Sequence, residues 1–109
     1  MTFPSTVSDS DRRAHTLRAV ARERAREGHV AAAAALFRRA LELTEVRGDQ
    51  RAAADACFEA AAALDEAGDA RGARFYAEQA RTLYVVLHDW RKVSGLMGML
   101  GRLPVPACA

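Results

Sequence analysis

Three arginines, Arg18, Arg22 and Arg26, recur every four residues, so on a helix they form one stripe. A guanidinium presents a planar fork of N–H donors that matches a carboxylate, and such a stripe can hold an acidic peptide. The same spacing also describes a solvated helix face, with Glu23 and Glu27 near enough to neutralise it. Arg12, Arg13, Arg24, Arg38 and Arg39 add charge around the same segment. Residues 1–47 carry nine arginines against six acids, whereas the remainder carries seven bases against eight acids. A nucleic-acid surface needs a denser basic patch interleaved with stacking aromatics, so nucleic acid is not an expected partner.

Other chemistry has less support. His15, His29 and His88 are far apart in sequence, and neither Cys57 nor Cys108 completes a metal-ligand spacing with them. Asp65 and Glu66 are adjacent, so on a helix they point in different directions and cannot work as a catalytic pair. No nucleophile has a base placed to activate it. The expectation is a protein that is not an enzyme and has no cofactor and no metal. Cys57 lies in an apolar helical run and reads as a small buried hydrophobe. Cys108 follows two prolines and is expected to be exposed, where another enzyme could modify it in a carrier role.

The stripe needs helices to carry it. Asp9 or Ser10 can cap a first helix that runs to about residue 27. Gly28 then supplies the left-handed residue that closes a helix at least cost. A second helix spans about 30–46, with Ala33, Leu36, Phe37, Ala40, Leu41 and Leu43 on one face. Gly48 ends it, and Asp49 is placed to cap a third helix over about 50–67. Gly68 and Asp69 repeat that punctuation before a fourth over about 70–87, where Gly72 is a small local cost. His88 and Asp89 precede a fifth over about 90–102, which Pro104 and Pro106 prevent from continuing. No stretch alternates with period two, so the chain reads as all-α.

These elements repeat. A shift of forty residues lays Gly28 on Gly68, Ala33 on Ala73, Ala40 on Ala80, Leu43 on Leu83 and Val46 on Val86, and brings Asp9, Asp49 and Asp89 into register. Self-similarity at such a period marks stacked repeats, which present surfaces more often than reaction centres. With 109 residues, 50% of them hydrophobic and many of those alanine, one thin, close-packed domain is expected over 10–103. Residues 1–9 read as a leader and 104–109 as a tail. The leader has no apolar core of a secretory signal and no run reaches a membrane span, so the expected location is cytoplasmic, with no membrane partner.

The pattern resembles the tetratricopeptide repeat. Ala33 and Phe37 match that family's small-then-aromatic pair, and Ala40–Leu41 its Ala-Leu. Ala73 and Ala80 match in the second unit, where Ala77 replaces the aromatic. Leu100–Gly101 reproduces the Leu-Gly pair, with Met97 at the large-residue position that Leu17 and Cys57 occupy in the first two units. The Leu-Gly position is Val20–Ala21 and then Ala60–Ala61. The period is longer than the family's usual ~34 residues and the closing prolines are missing, which leaves a two-helix repeat of the HEAT or armadillo kind as the rival. Longer repeats of this type are common in bacterial regulators and adaptors.

The resemblance implies two helical hairpins and a C-terminal capping helix, the first helix of each unit lining a groove. The implied groove residues are His15, Arg18, Arg22 and Arg26, then Asp55, Phe58, Ala62, Asp65 and Glu66, then Gly95, Gly98 and Arg102. Related domains bind acidic or carboxylate-ended peptides through such positions, but Ala62 supplies no amide for a specific clamp. The implied work is that of an adaptor binding a protein or peptide, or of a stand-alone regulatory module with an acidic or peptide ligand. The fifth helix adds an expectation of its own. Its apolar residues cover more than one stripe, so Leu96, Met99 and Leu103 are expected to form an association face, for a homodimer or another partner. Trp90 is expected to pack at the helix end.

Overall fold

The computed structural model describes residues 9–46 and 48–104. Five helices follow one another: α1 (Asp9–Arg26), α2 (Val30–Val46), α3 (Gln50–Glu66), α4 (Ala70–Val86) and α5 (Trp90–Arg102). No strand occurs among the described residues. The chain is an all-α array in which α1 packs on α2, α2 on α3, α3 on α4 and α4 on α5, with α1 also touching α3. Of the leader, Asp9 is described and already belongs to α1, as does Ser10; of the tail, Pro104 is described and exposed. Cys108 lies outside the described residues.

Local chemistry sets the helix boundaries. Gly28, Gly48 and Gly68 have φ of +85°, +72° and +87°, the left-handed conformation that an L side chain resists. At the end of α3 the Gly68 N–H donates to Asp65 O and the Asp69 N–H to Leu64 O, two bonds that together close the helix. The end of α4 repeats this geometry: His88 N–H donates to Val85 O and Asp89 N–H to Tyr84 O. The residue in the glycine position there is His88, held at φ +57°. The structural repeat is therefore twenty residues, one helix and one turn, and the forty-residue period is two such steps. Asp49, Asp69 and Asp89 each accept a hydrogen bond from the backbone N–H three residues on and cap α3, α4 and α5. Gly72 lies against the Asp69 carboxylate and Leu64, where a Cβ would collide with both. What looked like a local cost is the space the cap requires.

Alanine makes up most of the interior. Ala21, Ala33, Ala54, Ala61, Ala73, Ala77 and Ala80 are fully buried where helices cross. A larger residue there would hold the backbones apart. The volume between the crossings is filled by Phe37, Cys57, Leu64, Tyr84 and Leu96. Val20, at the Leu-Gly position of the resemblance, is 38% exposed. The end of α5 is held by Arg74 of α4, whose guanidinium donates to the carbonyls of Leu100, Leu103 and Pro104 at 2.9–3.1 Å. One side chain thus holds an open carbonyl of the last turn, Leu100, together with those of the C-cap Leu103 and of Pro104.

Candidate functional site

The arginine stripe of α1 faces α3, and its partner is Glu59. Arg18 donates from Nε and Nη2 to the two carboxylate oxygens at 3.0 and 3.1 Å, the bidentate arrangement. Arg22 reaches the same carboxylate at 2.8 Å from Nη1. Burial alone would raise the pKa of Glu59, but the pull of Arg18 and Arg22 outweighs it and leaves the carboxyl below its ordinary value. Two guanidinium charges over one carboxylate leave a residual positive charge at the junction. Arg26, the third of the stripe, pairs at 2.8 Å with Glu23 of its own helix, on an exposed surface.

Beside this junction lies an open cleft of about 550 Å³. Arg22, Ala25, Arg26 and Gly28 border it from the end of α1. Glu59, Ala62, Ala63, Glu66 and Ala67 border it from α3. The small residues make a floor on which a peptide backbone could lie close, and the charged ones form the rim. His15 lies at the other end of α1, exposed, at a second hollow that it shares with Arg18, Thr44 and Asp49.

Asp55 and Phe58, also expected in the groove, belong to a separate cluster. Asp55 accepts a hydrogen bond from the hydroxyl of Tyr84, whose ring is fully buried. Burial and that bond both raise the pKa of Tyr84 and keep it protonated. Phe58 meets the Tyr84 ring edge-on at 6.4 Å, and the Lys92 ammonium stands 5.0 Å from the centre of the Phe58 ring. Arg51 lies 5.7 Å from the Tyr84 ring centre and pairs with Asp89 at 2.6 Å. This network ties α3, α4 and the start of α5 together, and its partners are satisfied within the fold. Asp65 is exposed at the end of α3 and does not line the cleft. Arg102 is exposed on α5, where its guanidinium bonds to Gly98 O at 3.4 Å. The structure therefore joins Arg18 and Arg22 across α1 and α3, and separates them from Arg102.

Glu59 escaped the sequence reading, although a signal was there. Glu59, Ala62 and Glu66 fall on one ridge of α3 at helical spacing, and Ala62 and Glu66 were already expected in the groove, so Glu59 could have been placed there with them.

The expected association face is not on the surface. Leu96 is fully buried and Met99 and Leu103 are 9% and 8% exposed, all three in the main core. The helix turns these residues inward, and its outward apolar residues are Met97 and Trp90, 52% and 58% exposed. Trp90, expected to be packed, makes an edge-on contact with His88 at 5.8 Å.

Among the described residues no cluster of three or more His, Cys, Asp or Glu could hold a metal ion, and no helix is long and apolar enough to cross a membrane. Cys57 is buried as a free thiol, and burial pushes its pKa up to about 12. Comparison with known proteins finds no matching family model, curated protein or solved structure.

Proposed function

We propose that this protein is a non-enzymatic adaptor that binds an extended acidic peptide segment in the cleft between α1 and α3. The observation that carries this reading is the shared carboxylate. Arg18 holds Glu59 through two bonds and would keep it neutralised if Arg22 turned away. Arg22 lies on the rim, with 36% of its side chain exposed, and can exchange Glu59 for a carboxylate of the ligand. The exchange leaves no buried charge unpaired, so it costs little beyond the ordering of the peptide. The alanine floor supports the same reading, because a backbone can approach it closely. The tetratricopeptide resemblance fits this use of the inner helices, and the proposal includes a cytoplasmic location in which Cys57 stays reduced.

The test is titration of a fluorescein-labelled peptide alternating Glu with Ala against its Lys counterpart, by anisotropy at low salt. The acidic peptide should bind, weaken with added salt, and lose more than tenfold in affinity with Arg22→Gln. Equal binding of both peptides, or an unchanged affinity in Arg22→Gln, would sink the proposal.

A further inference from the structure

Helix α5 is set apart from the rest of the array. Helices α1 and α2 form one hairpin and α3 and α4 another, whereas α5 buries one face on the array and, among the described residues, no second helix lies across its outer face. The outer face is built like the inside of a helix pair. Trp90, Ser94, Met97, Gly98 and Gly101 fall at helical spacing along it, and all five are exposed. Trp90 and Met97 are more than half exposed, although side chains of this kind gain by being buried.

Among the described residues, no close packing requires the glycines on this face. A Cβ at Gly101 would meet nothing within 4 Å, and at Gly98 only the flexible end of Arg102 at 3.9 Å. Gly72, by contrast, is required by the Asp69 cap.

Charge identifies what fits there. Helix α5 contains Arg91, Lys92 and Arg102 and no acid. Lys92 stands instead over the Phe58 ring, and Arg81 of α4 adds a third cation at the edge of the face, its guanidinium 3.6 Å from the sulfur of Met97. A second α5 laid against the first would bring bases to bases. A helix with a small or apolar ridge flanked by Glu and Asp would instead bury Trp90 and Met97 and place its carboxylates beside Arg81, Arg91 and Arg102. We infer that the outer face of α5, with its Trp90–Met97 ridge and basic rim, is a docking surface for an acidic amphipathic helix of a partner protein. It is a different surface from the α1–α3 cleft and takes a ligand of different shape.

Trp90 is the only tryptophan and reports on its own face. The probe is a pair of synthetic helical peptides with the same Ala-Leu ridge, one flanked by Glu and the other by Lys. The acidic peptide should shift Trp90 emission to the blue in a saturable way, and the basic peptide should not. Gly98→Gln should weaken the acidic peptide more than tenfold while circular dichroism shows the fold intact and the melting temperature no lower. Arg22→Gln, which alters the cleft, should leave this affinity unchanged. No shift with the acidic peptide, an equal shift with the basic one, or full affinity in Gly98→Gln would overturn the inference. So would sensitivity to Arg22→Gln, which would put the peptide in the cleft. Light scattering that shows a wild-type dimer with Trp90 already blue-shifted would make a second copy the occupant and overturn it equally.

Discussion

Replacing Glu59 by Gln keeps the shape of the side chain and removes the charge that Arg18 and Arg22 share. Arg18 loses a bidentate ion pair and Arg22 a 2.8 Å one, and the two guanidiniums then face each other at i,i+4 without compensation. Exposed ion pairs contribute about 0.2–1 kcal/mol each, and like charges at that spacing cost a few tenths more. The junction is half-buried, with 24% of the Glu59 side chain exposed, so the upper part of that range applies. The expected loss is about 1–2 kcal/mol, a fall in melting temperature of roughly 4–8 °C per kcal/mol for a domain of this size. The pH dependence gives an internal control. The folded pKa of Glu59 is depressed, so its contribution is fully present above the unfolded value, about 4.5, and is lost as pH falls through the lower folded value. Urea unfolding of wild type and Glu59→Gln should therefore differ at pH 7 and converge as the pH drops well below 4.5. A difference that is absent at pH 7, or one that persists unchanged in acid, would show that the shared carboxylate does not join α1 to α3.

Tyr84→Phe removes the hydroxyl that donates to Asp55 across α3 and α4, and should cost about 1–2 kcal/mol in urea unfolding with the helical content unchanged. His88→Gly should stabilise by roughly 0.5–1 kcal/mol, because it relieves a left-handed backbone worth about 1–2 kcal/mol and gives part of that back as unfolded-chain entropy; a lower melting temperature would mean that the Trp90 contact matters more. In a Cys108→Ser background, Cys57 should resist a thiol reagent at pH 8 until urea unfolds the protein, since burial keeps the thiol protonated.

The turns were legible in the sequence because their chemistry is local. A left-handed residue favours Gly, an N-cap favours Asp, and both preferences act within four residues of the helix end. The same logic hid His88, because histidine carries no bias toward positive φ strong enough to reveal it as the fourth member of the series after Gly28, Gly48 and Gly68. Its conformation is imposed by the helices on either side, and that is tertiary information. The arginine stripe was legible as a stripe, since i,i+4 spacing belongs to one helix. Its partner Glu59 is 41 residues from Arg18, and the pairing depends on how α3 rotates beneath α1, which the alanine contacts decide.

The phase of α5 shows the same division more sharply. Val93, Leu96, Met97, Met99, Leu100 and Leu103 cover more of the helix than one neighbour can bury, so composition predicts that some apolar surface stays outside without choosing which. Packing on α4 chooses Leu96, Met99, Leu100 and Leu103 for the core, and the Arg74 clamp on the carbonyls of Leu100 and Leu103 fixes that rotation. Met97 is then left outside beside Arg81, on the same line as Trp90. The residues expected outside, Leu96, Met99 and Leu103, thus lie in the core, and Met97 and Trp90 lie outside instead. The side these two occupy is the one bordered by Arg81, Arg91 and Arg102, and the proposed docking of an acidic helix rests on that coincidence.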